Sequence, residues 1–429
     1  MLYKNLGYRT SCIDDISGVM LLPSGINREY LKSRINDNKY SDRKILFDPQ
    51  LYLTELIVEE DSDNIVFPRL TTYPWFAESE NYNSDKYQNI TEWFNEHKEN
   101  YSWPDSLPVS DIGINQKIKH CLDFQKEIKV SKYILPVPII KNAEDGFTEQ
   151  LKWIKNALEH KSEYNEDFLA SLTIDDSILL QSDFDDNTVL QTILDNISTL
   201  RALDGIYLVI LRNKYDTLYQ ISPRIASSLL EISYLIGIRA KKQVIINFED
   251  VYGLVCMGVG ADGFATGYST SKRKMSFSNF KSSFGRSFPK FYSHNLIGDF
   301  LSETDLNKIR DNNLIQMIED DKTDLSEGLF AALKQNQSAA NVPEWRETQN
   351  HTTTAENNRM KRINKVVEKI NDRDDSKSKV NFIKDWLLSA DMKRTYFSER
   401  FEDDPLSDES RHVRVWRKVF EDFLNKYNL

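Results

Sequence analysis

The chain has 429 residues, of which 40% are hydrophobic and 28% charged, and its formal charge is -11. That length suggests two or three domains, or one large α/β barrel with an appendage, and the aromatic content excludes collagen-like and wholly disordered classes. An acidic balance argues against a protein that coats nucleic acid or anionic membrane indiscriminately, since such coats need surplus cations.

Short aliphatic or β-branched runs recur along the first 270 residues, each bounded by polar or turn residues. In chain order they are 18–22, 44–47, 64–67, 132–137, 170–174, 205–211, 243–247 and 263–266. Continuous apolar runs, rather than alternation, mark strands buried on both faces. Between them lie helical patterns. Residues 147–160 place Leu151, Ile154 and Leu158 on one face, 188–200 carry Val189, Ile193 and Ile197, and 223–238 carry Ile225, Leu229 and Ile232. Strand alternating with amphipathic helix reads as a parallel sheet with helical crossovers.

Eight such units predict an α/β fold, a (β/α)8 TIM-like barrel over residues 1–300 with a long insertion at 70–130. A doubly wound open sheet is the alternative, because strand order is not legible in one sequence. After Asn295 no further parallel strand is expected. Residues 301–334 read as a helical extension and 335–358 as a polar linker. Residues 359–429 read as a C-terminal helical appendage, with Val413, Trp416, Phe420 and Phe423 at helical spacing.

Cys12, Cys121 and Cys256 lie far apart without CxxC spacing, which fits reduced thiols rather than disulfides or structural zinc. No stretch approaches the roughly 20 apolar residues of a membrane helix, and the N-terminus lacks a signal core. A cytoplasmic protein is expected, with no membrane partner. His97, His120, His160, His294, His351 and His412 show no HxH or HExxH spacing, and no cofactor motif is present, so no metal or cofactor is assigned.

In a barrel, function gathers at the carboxyl ends of the strands. The polar residues that border the runs are Asp48, Arg69, Asp175, Arg212, Asn247, Glu249 and Asp262. Of these, Asp48, Asp175, Glu249 and Asp262 are candidate acid–base or cation-holding groups, while Arg69, Arg212 and Asn247 would bind an anionic substrate. Each aspartate is also a natural helix cap or turn former. Gly260, Gly263 and Gly267 could let backbone N–H groups approach a phosphate, or could serve tight helix–strand packing.

The run Gly260-Ala-Asp-Gly-Phe264, closing at Gly267, resembles the ending of many phosphate-binding barrels. With Met257-Gly-Val-Gly260 before it and Lys272-Arg273 after it, the stretch also resembles the end of the barrel in tRNA-guanine transglycosylases. That resemblance implies base or glycosyl transfer on a nucleic acid through an aspartate on the last strand. The chain departs from the pattern there: Ala265 stands at the nucleophile's position, and no cysteine follows Cys256 to build the family's zinc site.

Between Gly263 and Gly298 there are six cations, Lys272, Arg273, Lys274, Lys281, Arg286 and Lys290, and no Asp or Glu. Interleaved with Phe277, Phe280, Phe284, Phe288 and Phe291, they suit a nucleic-acid strand or nucleotide, with phosphates on cations and bases on rings. The rings also fit one face of a packed helix. Two functions follow. One is a barrel enzyme acting on a phosphorylated, nucleotide or nucleic-acid substrate. The other is a non-catalytic barrel that recognises nucleic acid, or a protein through its C-terminal helices.

Overall fold

A computed structural model of the chain describes residues 1–6, 16, 18–36, 40, 42–55, 66–70, 72–76, 107–141, 147–212, 218–280, 288–347, 352–408 and 411–429. Eight parallel strands form one sheet: β1 (Leu2–Leu6), β2 (Gly18–Leu21), β3 (Lys44–Phe47), β4 (Tyr133–Leu135), β5 (Phe168–Asp175), β6 (Gly205–Leu211), β7 (Gln243–Asn247) and β8 (Gly263–Thr266). Their order is β3-β2-β1-β8-β7-β6-β5-β4. The two ends of this order meet, because the Ser131 amide just before β4 donates to the Ile45 carbonyl of β3 at 2.8 Å. The fold is a (β/α)8 barrel with a C-terminal helical region, as the strand–helix alternation predicts.

The helices are α1 (Arg28–Asn36), α2 (Val66–Leu70), α3 (Asp111–Glu127), α4 (Thr148–Glu159), α5 (Asp176–Leu180), α6 (Thr188–Thr199), α7 (Pro223–Ile232) and α8 (Tyr252–Met257), followed by α9 (Thr304–Asp311), α10 (Glu327–Lys334), α11 (Thr353–Asn371), α12 (Ser376–Arg400) and α13 (His412–Tyr427). Local chemistry sets several starts. Asn187 caps α6 by accepting from the Leu190 amide, Asp375 caps α12 through Ser378, and Pro223 opens α7 where its missing N–H is harmless. No described helix is long and apolar enough to cross a membrane.

One strand was misplaced by the sequence pattern. The run 64–67 is not a strand; from Val66 it forms α2, and residues 64 and 65 lie outside the described set. The missing strand is β1, LYKNL, which lies between β2 and β8. Its two polar residues hid it. Asn5 donates from Nδ2 to Asn247 inside the barrel, and Lys4 is buried against Glu356 of α11 at 2.9 Å.

Beyond β8 the described residues do not form the packed helix that the spacing Phe277–Phe291 also fits. A 3₁₀ turn spans Phe277–Phe280, and residues 290–301 form an antiparallel hairpin of β9 (Lys290–Ser293) and β10 (Gly298–Leu301). Phe291 and Phe300 of that hairpin enter a second core with Phe330, Trp345, Phe397 and Phe401. The polar stretch 335–358 is accordingly not an unpacked linker throughout, since Ala339 and Trp345 are buried in that core. The C-terminal helices also face the barrel: α11 packs on β1, β9 and α8, while α13 lies along α7.

Candidate functional site

The carboxyl ends of the strands bring together a chain of hydrogen bonds that crosses the barrel interior. Tyr207 of β6 donates to Asp48 Oδ2, one residue past β3, at 2.8 Å, and Tyr52 donates to the same oxygen at 2.6 Å. Asn247, the last residue of β7, donates from Nδ2 to the Tyr207 hydroxyl at 2.5 Å. Asn5 of β1 donates in turn to Asn247 Oδ1 at 2.7 Å, an oxygen that also accepts from the Phe248 amide. Strand alternation explains the convergence, since Tyr207 is level with Ile245 and Asn247 with Ala265, all turned inward.

Every donor in the chain points toward Asp48, which also accepts from the Gln50 amide at 2.9 Å. Burial pushes the Asp48 carboxyl from 3.8 up to about 6, against the opposing pull of Tyr52, Tyr207 and the Gln50 amide. Burial likewise holds both tyrosines well above their ordinary value, so they remain donors. A carboxyl near 6 exchanges a proton close to neutral pH, the property that acid–base catalysis needs. Two polar side-chain atoms on barrel strands, Asn5 Oδ1 of β1 and Thr173 Oγ1 of β5, are buried without a hydrogen-bond partner among the described residues.

Backbone strain gathers at the same end. Gln50 after β3 (φ 53°) and Phe248 and Asp250 after β7 (φ 63° and 47°) are left-handed without being glycine. The twist at Phe248 and Asp250 separates two neighbouring carboxylates. Glu249 faces Arg212, one residue past β6, with Nε and Oε1 3.7 Å apart. Asp250 instead joins a buried square of charge. Arg273 binds Asp250 at 2.5 Å and Asp299 at 2.6 Å, and Arg359 binds the same two carboxylates from α11. Tyr219 donates to Asp299 and Thr266 to Asp250, which completes their acceptors.

Of the residues singled out in the sequence, Asp48, Arg212, Asn247 and Glu249 lie at the carboxyl ends, all buried. Asp175 also lies there but caps α5, accepting from the Ser177 amide and hydroxyl. Arg69 follows no strand; it belongs to α2 and donates to the Ser24 carbonyl at 3.2 Å. Asp262, Gly260 and Gly263 sit at the opposite end, because they precede or begin β8. Asp262 is exposed and accepts from the Val244 amide. A Cβ on Gly263 would come 2.4 Å from the Met1 carbonyl, and Gly260 (φ 133°) lies against the Ser233 carbonyl, so both serve close packing. Gly267, past β8, packs on the Lys272 side chain.

None of the described cations of the basic segment is fully exposed. Arg273 and Lys274 are buried, Lys272 and Lys290 half-buried, and Lys281 and Arg286 fall outside the described residues. Asn5, Gln50, Tyr52 and Tyr207 escaped the sequence reading. Tyr207 had a visible signal, as the one hydroxyl in the aliphatic run 205–211. Among the described residues no group of three His, Cys, Asp or Glu could hold a metal ion. No known family model, curated protein or solved structure matches the chain.

Proposed function

We propose that this barrel is an enzyme acting on a phosphorylated or nucleotide-like substrate at the carboxyl end of its strands, with Asp48 as the proton-transferring group. The observation that carries this reading is the interior chain Asp48–Tyr207–Asn247–Asn5, built from three strands and the residue after a fourth, with Asn5 Oδ1 at its end left without a partner among the described residues. Four distant segments converging on one carboxyl is the arrangement by which barrel enzymes assemble catalytic groups. Base or glycosyl transfer, which the resemblance implies, requires here that Asp48 supply the carboxylate absent at Ala265. The test is native mass spectrometry of the purified protein to identify a bound ligand, followed by turnover assays on that ligand. Asp48→Asn is expected to lower turnover by about 10²-fold or more. Turnover unchanged in that variant refutes the role of Asp48.

A recognition role has one specific observation in its favour. Leu388, Met392 and Tyr396 are 41%, 66% and 49% exposed along one four-residue row of α12. Under this reading Met392→Glu abolishes binding of a protein partner and leaves turnover intact; unchanged partner binding removes the row from consideration. The burial of Arg273 and Lys274 speaks against an exposed nucleic-acid strip in the same molecule.

A further inference from the structure

Arg212 and Glu249 differ from every other buried charge at this end of the barrel. All three guanidinium nitrogens of Arg212 and both carboxylate oxygens of Glu249 lack a hydrogen-bond partner among the described residues. Both side chains are 0% exposed, and their closest approach of 3.7 Å is an ion pair without hydrogen-bond geometry. A guanidinium presents five N–H donors in a rigid fork, and leaving them unmet in the interior is costly.

The surroundings hold the pair in place. The Arg212 amide donates to the Met275 carbonyl at 2.9 Å, which draws the segment after β8 over the end of β6. Glu249 is fixed between the two left-handed residues Phe248 and Asp250. Lys274, itself buried, adds positive charge near Glu249, whereas Asp250 is committed to Arg273 and Arg359.

A ligand that satisfies this pair must carry anionic acceptors for the fork and a donor for the carboxylate. A simple carboxylate offers an ionised Glu249 no donor, and a cation offers Arg212 no acceptor. A phosphate monoanion, free or esterified, has both. We propose that Arg212 and Glu249 form an enclosed phosphate subsite, with the Arg212 fork donating to two phosphate oxygens and Glu249 accepting from the P–OH. This inference deepens the reading of a phosphorylated substrate by locating its phosphate, but it does not depend on Asp48.

The test uses the full-length protein in phosphate-free buffer, with calorimetric and thermal-melting titrations of inorganic phosphate and of acetate at matched ionic strength. Saturable binding and stabilisation by phosphate, but not acetate, are expected. Arg212→Met abolishes the response, and Arg212→Lys, which keeps the charge but loses the fork, weakens phosphate about tenfold or more. Glu249→Gln, whose amide oxygen still accepts, binds at least as tightly as wild type. Asp48→Asn binds within about twofold of wild type, since nothing in the subsite touches it. Absence of saturable binding in the wild type overturns the proposal, as does an equal response in both Arg212 variants. Should Arg212→Met fail to fold, the lysine and glutamine variants decide: loss in Glu249→Gln with none in Arg212→Lys refutes the subsite. Phosphate binding that persists while Asp48→Asn retains turnover would leave the subsite standing and remove only the catalytic reading.

Discussion

Two buried ionic groups sit a few residues apart at the end of β7, and they are built on opposite principles. In the square of Asp250, Arg273, Asp299 and Arg359, two cations alternate with two anions, and Tyr219 and Thr266 occupy further acceptor positions. In the Arg212–Glu249 pair, opposite charges face each other at 3.7 Å and make no hydrogen bond. Buried charge is tolerated when nearly all of its hydrogen bonds are made, as in the square, where Arg359 Nε alone lacks a partner among the described residues, and it is a liability when none are. The square is therefore a fastening between barrel and C-terminal helices, and the pair is a place prepared for something else.

That contrast can be broken experimentally, beginning with its largest effect. Arg359→Ala leaves Asp250 and Asp299 sharing one cation and is expected to cost about 3–5 kcal/mol, read from urea unfolding. Loss of less than about 1 kcal/mol would show that the square does not fasten the helices. The double replacement Arg212→Met with Glu249→Leu should do the reverse, leaving stability unchanged or raising it by about 1–4 kcal/mol, because no completed bonds are lost. A clear loss in that variant would place the pair in the same class as the square.

The two groups also titrate with opposite sign. Burial raises the Glu249 carboxyl from 4.5 to about 7, with Arg212 opposing, so the folded protein holds that proton more tightly than the unfolded chain. Its contribution to stability is complete below about pH 4.5 and is lost as pH climbs through about 7. For Asp299, burial alone would raise the carboxyl, but Arg273 and Arg359 outweigh it and hold it below 3.8. That contribution is present above 3.8 and disappears as the medium becomes more acidic. Unfolding free energies of wild type and Glu249→Gln, measured from pH 4 to 8, should diverge on the alkaline side only in the wild type's disfavour. Parallel curves would show that Glu249 is not held as described.

Much of the barrel was legible because strands buried on both faces are written as unbroken apolar runs. Residues 205–211, 243–247 and 263–266 match β6, β7 and β8. The same rule failed twice for one reason. Residues 64–67 look apolar enough for a strand yet lead into a short helix, since periodicity cannot separate the two over four residues. LYKNL looks too polar, yet Lys4 and Asn5 are each answered by a residue far along the chain. The acid–base candidates Asp48 and Glu249, and Arg212 opposite Glu249, were legible from strand ends, whereas the tyrosines that bond Asp48 were not. Arg273 reads as one cation in a basic run until Asp299 and Arg359 arrive from elsewhere. Strand polarity alone would have placed Asp262 at the far end, because it precedes β8 rather than following it.

The place of β1 between β2 and β8 bears on how the molecule is made. As the ribosome extends the chain, the first strand emerges before either the neighbour that flanks it, Gly263–Thr266, or the helix carrying the counter-ion for Lys4. The ring thus stays unsealed until most of the polypeptide exists, which is a recipe for slow, long-range assembly. A nascent chain stalled before residue 353 would lack Glu356, the carboxylate that meets Lys4 at 2.9 Å.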